Sequence, residues 1–316
     1  MKPELWQMIL MLATGLIFAA AFLLGLRRLR PIPAGMDTGA AGGGAEQPVV
    51  ASRRLGPTVR TCFIVGLLLL LTLAAVRWVA FIGQIQATVA TAPATAPNAV
   101  YKPPLTFGVF DYFVLLGLLL AVLAAYFRLT QHLRWLGFFL LPMVAMVLFL
   151  GLVMSALDTQ TFNAHSWLNM IHLTSVMIGV LSFAAACVGG IMYLLADRQL
   201  RQHRVTKPRW RWPALGQIEK FVQHVTYLGF PLLTIAMISG AMRAHQIQVD
   251  QHLAINTEWL ASPKILLSIA AWLVYAVLLH VPLAPAFRGR RAAWLSIIGF
   301  ALLLSVFVAV RWFSLA

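Results

Sequence analysis

Eight long apolar runs constrain the fold of this 316-residue chain more than any other feature. With 61% hydrophobic residues and a mean hydropathy of +0.84, the chain is too apolar for a water-soluble fold. In lipid, backbone polar groups must pair within their own segment. We therefore predict an all-α, polytopic integral membrane protein of about eight transmembrane helices. The runs lie at about 5–26, 61–83, 106–127, 136–156, 167–195, 225–245, 263–283 and 293–313.

The net charge of +15 is distributed unevenly along the chain. Most of the 24 Lys and Arg residues fall in four connections, at 27–60, 128–135, 196–224 and 284–292. Basic connections are retained on the cytoplasmic side. The asymmetry thus predicts an integral protein of the bacterial inner (plasma) membrane with both termini outside. Retention of basic connections at the membrane also accounts for the positive net charge, so nucleic acid is not an expected partner.

Two connections have the composition of flexible or extended chain. Residues 31–52 are rich in Gly, Ala and Pro, and residues 87–104 are rich in Ala, Thr and Pro. We divide the chain into a first transmembrane helix at 1–30, a flexible cytoplasmic linker at 31–60 and a seven-helix membrane domain at 61–316. In this division the linker separates the first helix from the other seven.

The fifth apolar run carries a stripe of small residues that ends in a histidine. Ser175, Gly179, Ser182, Ala186 and Gly189 recur at spacings of four and three, which predicts close approach of a neighbouring helix. His172 extends this stripe towards the outer face. We expect its imidazole to face the bundle interior or a cavity, because polar groups inside membranes rarely face lipid.

The sixth apolar run offers a matching surface. Ala236, Gly240 and Ala244 form a small-xxx-small pattern, which favours tight helix packing. Pro231 removes one backbone donor and crowds the carbonyl of Tyr227, so we expect a kink there.

The histidines separate into two levels. His165, His172, His245 and His252 lie near the outer face, whereas His224 and His280 lie near the inner face. His172 and His280 are therefore too far apart to share one metal ion, and if both are ligands there are two sites. Helix-end histidines also serve as interfacial anchors or packed core residues, and that interpretation stays open.

Haem suits these positions better than zinc does. Cys62 and Cys187 lie singly in apolar runs, and the sequence has no HExxH motif. Haem iron accepts one or two neutral imidazoles, while the macrocycle can lie against aromatic side chains such as Trp167, Trp259 and Trp272. Interfacial belts also explain tryptophans of this kind.

Four segments between Trp167 and Trp312 resemble the cytochrome c assembly family of haem-handling membrane proteins, in particular its CcsA and HemX branches. Their order, spacing and side of the membrane agree with the family arrangement of about eight helices. We place a cytochrome c assembly-like core at 167–312. The segments are WLNMIHLTSVMIGVLSFAA, TYLGFPLLTIAMISGAMRA, SPKILLSIAAWLVYAVLLH and FRGRRAAWLSIIGFALLL.

The resemblance implies that His172 and His280 are axial ligands of haem iron, at an outer and an inner site. It implies a transiently held, b-type haem that is brought to the outer face. In CcsA members a second membrane subunit then helps to present haem to apocytochrome c. The second outer ligand is left open between His252 and His245, with His252 preferred because it precedes Trp259.

The sequence departs from the CcsA pattern at two positions. CcsA members have Trp-Asp-Pro-Lys in an outer segment, whereas TEWLASPKI keeps Trp259, Pro263 and Lys264 but has Ser262 in place of Asp. The outer histidine expected after the last helix is also missing. Both departures move the chain towards HemX-like members, whose role is accessory or regulatory in haem supply.

No catalytic residue is predicted, because the sequence shows no general base or nucleophile with a defined partner. A component of a haem-attachment complex would act mainly by positioning. Two alternatives stay open, namely an accessory or regulatory membrane protein without direct haem attachment and a small-solute transporter. Arg77 and Asp111 suggest the transporter, although each lies near the outer end of an apolar run and could reach the interface.

The topology prediction is testable with reporter fusions. Seven basic residues lie between the fifth and sixth runs, so we expect a fusion placed within 204–220 to remain cytoplasmic. Fusions at either terminus should report an outside location. Export of a fusion within 204–220 would contradict the topology.

Overall fold

A computed structural model describes most of the chain. It covers residues 3–28, 57–90, 106–130, 134–157, 161–163, 167–201, 214–250, 261–280 and 289–312. The helices are α1 (Leu5–Arg28), α2 (Pro57–Ala90), α3 (Val109–Leu129), α4 (Arg134–Phe139), α5 (Leu141–Leu157), α6 (Trp167–Arg201), α7 (Leu215–Asp250), α8 (Pro263–His280) and α9 (Arg290–Trp312).

Eight helical stretches in the described residues are long and apolar enough to cross a membrane. The short helix α4 and the longer α5 follow each other across Leu140 and together form the fourth stretch. The predicted all-α membrane fold is therefore confirmed.

Several helices extend beyond the predicted apolar runs, α2 and α7 the furthest. Helix α2 continues to Ala90, into the connection predicted to be extended, and α7 begins at Leu215, about ten residues before its predicted start. The prediction followed the apolar residues alone. A helix continues past the hydrocarbon wherever its polar turns keep their backbone hydrogen bonds, so composition underestimates its length.

The third predicted helix begins later than expected, because residues 106–108 form a strand. Strands β1 (Thr106–Gly108) and β2 (Thr161–Asn163) pair antiparallel, with Thr106 opposite Asn163. Strand β1 leads directly into α3, and β2 ends four residues before the first residue of α6. These two helices therefore start on the same side of the bundle, as alternating crossings require.

The small-residue stripe of α6 packs against α7, as predicted. A Cβ atom added to Gly179 would lie 3.8 Å from the Leu233 backbone nitrogen, and one added to Gly189 would clash with Val222 at 2.6 Å. From the other side, a Cβ atom on Gly229 would lie 2.9 Å from Phe183. The two helices approach so closely because these positions lack side chains.

Helices α8 and α9 complete the second half of the bundle. Tyr275 of α8 stacks on Phe183 of α6 with 3.6 Å between ring centroids, and Gly299 of α9 lies against the Tyr275 ring. Gly190 of α6 packs on Ala293 at the start of α9. The α6 helix is thus in contact with α7, α8 and α9.

Helix α1 packs against α2 and α5. Phe18 of α1 meets Phe63 of α2 with ring centroids 6.0 Å apart, and Gly15 allows α1 to approach Ala145 of α5. The linker predicted at 31–60 lies mostly outside the described residues. The division into a separate first helix and a seven-helix domain stays a prediction.

A buried ion pair joins three helices in this half of the bundle. The Arg77 guanidinium of α2 donates to both carboxylate oxygens of Asp111 on α3, with Nη2 2.8 Å from Oδ2, and also to Gln7 of α1 at 3.0 Å. Arg77 is only 7% exposed, and its guanidinium lies 5.3 Å from the Phe110 ring centroid. The two charged side chains therefore pair with each other instead of reaching the interface separately.

We expect Arg77→Met to destabilise the protein strongly, because it leaves the Asp111 carboxylate buried without its counter-ion. The loss is about 3–5 kcal/mol, which corresponds to a melting temperature lowered by roughly 5–10 °C in detergent. Arg60→Met removes an exposed arginine from the same helix and should change the melting temperature little. The double variant Arg77→Met/Asp111→Leu should be more stable than Arg77→Met alone. A double variant that is less stable than Arg77→Met would contradict this account.

Candidate functional site

His172 lies in the second turn of α6, at the point where the small-residue stripe ends. Its Nδ1 atom is 2.8 Å from the carbonyl oxygen of Ala236 on α7. The ring lies over Gly240, where an added Cβ atom would be 3.0 Å from the imidazole Cε1. The close approach of α6 and α7 thus brings the imidazole onto the backbone of the neighbouring helix, as the stripe predicted.

This contact assigns the tautomer of His172. A carbonyl oxygen can only accept a hydrogen bond, so Nδ1 must carry the proton and donate it to Ala236. In the neutral imidazole Nε2 is then unprotonated, with its lone pair available. Metal-bound histidines commonly have this arrangement, in which one ring nitrogen donates to a backbone carbonyl while the other binds the metal.

The same face of α7 continues to an arginine. Ser239, Gly240 and Arg243 lie three, four and seven residues beyond Ala236, which places them on the same face of the helix. Ser239 Oγ lies 3.4 Å from Nδ1, but its hydroxyl donates to Ile235 at 2.7 Å. The face of α7 that contacts His172 therefore also carries an arginine.

The tryptophans named as possible contacts of a haem macrocycle lie at different places in the fold. Trp272 packs between α8 and α7, where its Nε1 donates to Thr234 Oγ1 at 3.1 Å and its ring lies 5.4 Å from that of Phe230. Trp167 is 64% exposed, and it lies about 140° around α6 from His172 at 100° per residue. Trp259 lies outside the described residues.

His280 and His224 lie at the opposite end of the bundle. Both are exposed, and each Nδ1 donates to a carbonyl one turn earlier in its own helix, Ala276 at 2.7 Å and Lys220 at 2.6 Å. The hydrogen bond between Trp272 and Thr234 shows which residues of α8 and α7 lie at the same level along the bundle. From this level, a rise of 1.5 Å per residue places His280 and His172 roughly 15–20 Å apart along the helix axes.

The described residues bring no second histidine to His172. His245 is exposed and follows Ala236 by nine residues, so it lies about 180° around α7 from the site. His252, the preferred second ligand, lies outside the described residues, as do His132, His165 and His203. Among the residues that the structure does describe, no group of three or more His, Cys, Asp or Glu could hold a metal ion.

Comparison with known proteins identifies the family. A family model described as "Cytochrome C assembly protein" matches residues 106–315, well beyond the segment 167–312 that carries the resemblance in sequence. The chain belongs to the cytochrome c assembly protein family. No solved structure matches it.

Several curated relatives of modest identity are similar to the chain. "Cytochrome c biogenesis protein CcsA" of Chlamydomonas reinhardtii is 27% identical over 146 residues, which cover 46% of this chain and 38% of that protein. CcsA of Guillardia theta is 27% identical over 46% of this chain and 51% of that protein. "Inner membrane protein YpjD" of Escherichia coli K12 is 26% identical over 55% of this chain and 64% of that protein. The matches thus span less than two thirds of each of these relatives.

Sequence reasoning missed two features of the site, namely the Ala236 carbonyl and Arg243. A backbone acceptor leaves no trace in the sequence. Arg243 could have been identified from the sequence, because its spacing from Ala236 and Gly240 places it on the same face of the helix. The spacing alone does not show which helix that face contacts.

The contact between Gly240 and His172 can be tested by substitution. Gly240→Ala would place a Cβ atom 3.0 Å from Cε1 and 3.2 Å from Nδ1 of His172, which should cost about 1–3 kcal/mol through overpacking. Gly216→Ala, in the same helix with open space around the added Cβ atom, should leave the melting temperature equal or raise it.

A double variant separates this contact from a general effect on α7. In His172→Ala/Gly240→Ala the shorter side chain makes room, so the two losses of stability should not add. Full additivity in thermal unfolding would mean that the two residues do not touch.

Proposed function

We propose that this protein binds and escorts haem in cytochrome c biogenesis, with His172 as an axial ligand at the outer end of α6 and α7. The observation that carries this proposal is the Nδ1 hydrogen bond to Ala236, which leaves Nε2 unprotonated. What distinguishes His172 from His224 is that its Nδ1 bond crosses from α6 to α7, so that the ring orientation is fixed by the neighbouring helix. Family membership supplies the class of ligand.

The residues of the site fit haem. Neutral imidazole nitrogen is a ligand that haem iron accepts, and Gly240 leaves no side chain between the ring and α7. Arg243 offers a positive charge on the same face, which would pair with a propionate carboxylate. When bound, haem supplies an iron centre whose properties depend on its axial ligands.

The chain's own groups then have defined tasks at this site. Ala236 holds the imidazole in one tautomer and orientation, as hydrogen-bond partners of metal ligands commonly do. The α6–α7 contact keeps water from the ring face that lies on Gly240. Because no part of this arrangement needs a base or a nucleophile, binding and positioning are the functions that it can perform.

The inner level is assigned to His280. Its Nδ1 bond to Ala276 leaves Nε2 free in the same way, and its exposure at the end of α8 makes it accessible at the membrane surface. We assign it an inner site through which haem enters. Haem held by side chains alone is b-type and exchangeable, which suits delivery to a second membrane subunit and then to apocytochrome c. His252 or Trp259 would complete the outer site.

An accessory, HemX-like role in haem supply is the second candidate, and Ser262 favours it. The residue stands where CcsA members have Asp, and its hydroxyl is buried without a hydrogen-bond partner. Its carbonyl accepts from the backbone of Ile265 and Leu266 at the start of α8. A neutral hydroxyl cannot replace a carboxylate in presenting haem. In this role the protein would hold haem without taking part in its attachment.

Absorption spectra of histidine variants test the proposal. Protein purified gently from haem-replete cells should show haem, and His172→Ala should lower outer haem occupancy by about tenfold or more at unchanged protein yield. His280→Ala should deplete both sites, because haem enters through the inner one. Added imidazole should partly restore a six-coordinate spectrum wherever an axial position was vacated.

Two further histidines provide matched controls. His224→Ala removes an exposed imidazole with the same Nδ1 geometry as His280, and His245→Ala removes one from the opposite side of α7. Both should keep the wild-type spectrum. Wild-type protein without haem, or an unchanged spectrum in His172→Ala, would refute haem binding at this site.

A further inference from the structure

The outward face of α7 carries a continuous apolar stripe. Its members are exposed and follow each other at alternating spacings of three and four residues, the spacing at which one helix packs along another. The opposite face of α7 packs on α6, so the stripe points away from the bundle. The residues of the α7 stripe are Leu228, Pro231, Ile235, Ile238 and Met242.

Pro231 interrupts the backbone hydrogen bonds of α7 within this stripe. Proline has no N–H group, so the carbonyl of Tyr227, one turn earlier, lacks the donor that a helix normally provides. A helical carbonyl points along the axis towards the residue four positions later. Tyr227 and Pro231 are both exposed, so the carbonyl between them lies on the outward face of α7.

The side chains of α7 do not supply the missing donor. Ser and Thr hydroxyls commonly pair with carbonyls that a proline has left free in a transmembrane helix. In α7, each Ser and Thr hydroxyl donates to a different carbonyl. Thr226 donates to Val222, Thr234 to Phe230 and Ser239 to Ile235.

The Tyr227 carbonyl lies at a level where lipid cannot supply a donor. Trp272, at the middle of α8, donates to Thr234 and so places Thr234 near the middle of the membrane. Tyr227 and Pro231 precede Thr234 by seven and three residues, which is roughly 5–10 Å along the axis. The hydrocarbon extends about 15 Å to each side of the middle. An unpaired backbone carbonyl that faces acyl chains is strongly unfavourable.

A second copy of the chain is a poor occupant of this face. Two copies in one membrane have α7 in the same direction, so their stripes would meet level for level, and the stripe is apolar. Tyr227 of a second copy would lie near the right level. Its side chain, however, inclines towards the N-terminal end of the helix, whereas the carbonyl points towards the C-terminal end. The chemistry therefore favours a donor from a different chain.

We propose that this face of α7 binds a transmembrane helix of another membrane protein. That helix packs apolar side chains along the stripe and donates a hydrogen bond from a hydroxyl or amide side chain to the Tyr227 carbonyl. Polar side chains hold transmembrane helices together in this way. The interaction does not depend on haem, because His172 contacts the opposite face of α7.

Two synthetic transmembrane helices serve as probes for the full-length protein in lipid nanodiscs. One is all leucine, and the other has a threonine about five residues to each side of its centre, so that either orientation presents a hydroxyl near the level of the carbonyl. Energy transfer between labelled protein and labelled helix measures binding. Wild type should bind the threonine helix about threefold to tenfold more tightly. Pro231→Ala restores the backbone donor and should bind the two helices equally.

Two further variants provide controls. Pro263→Ala removes a proline from the first turn of α8, where no helical hydrogen bond is missing, and should keep the wild-type preference. Ile235→Ala/Ile238→Ala shortens the stripe's side chains and should weaken the binding of both helices to a similar extent. This double variant locates the binding face even if Pro231→Ala does not fold.

Three results would overturn the proposal, namely equal binding of both helices by wild type, an unchanged preference in Pro231→Ala, or unchanged binding in Ile235→Ala/Ile238→Ala. Labelled copies of the protein are also mixed with each other. Energy transfer between them that Ile235→Ala/Ile238→Ala abolishes would assign the face to a second copy and overturn the assignment to a different protein.

Discussion

The close approach of α6 and α7 is the interaction on which the candidate site depends. Lipid offers no hydrophobic force between helices, so their association relies on van der Waals contact, and small residues allow that contact to be tight. Gly179, Gly189 and Gly229 bring the two backbones together. Towards the start of α6 in the same contact, Gly240 leaves room for the His172 ring, and the Ala236 carbonyl comes within hydrogen-bond distance.

Burial of a polar side chain in this bundle costs free energy unless the side chain has a partner, and this is a constraint on each polar group. Arg77 and Asp111 satisfy it by pairing with each other and with Gln7. His172 satisfies it through Nδ1, which donates to the Ala236 carbonyl on the neighbouring helix.

Much of the fold could be predicted from the sequence, because the bilayer fixes both the length and the type of each crossing. The eight spans and the α6 stripe follow from apolar length and small-residue spacing. The Arg77–Asp111 pair could not be predicted, since its partners are 34 residues apart and each alone looks interfacial. The sequence predicts helix at 106–108, where strand β1 lies, because three residues are too few to distinguish the periodicity of a strand from that of a helix. The sequence does not show that His245 lies on the far side of α7 from His172, because that depends on which face of α7 contacts α6.

Nitrogen-15 NMR of histidine-labelled protein tests the central claim most directly, with His172→Gln used to assign the resonances. In the haem-free protein, His172 should be protonated on Nδ1 and unprotonated on Nε2, as donation to the Ala236 carbonyl requires. Addition of haem should shift or broaden the Nε2 resonance of His172 and leave that of His245 unchanged. A tautomer protonated on Nε2, or a His172 signal that haem does not change, would contradict the account.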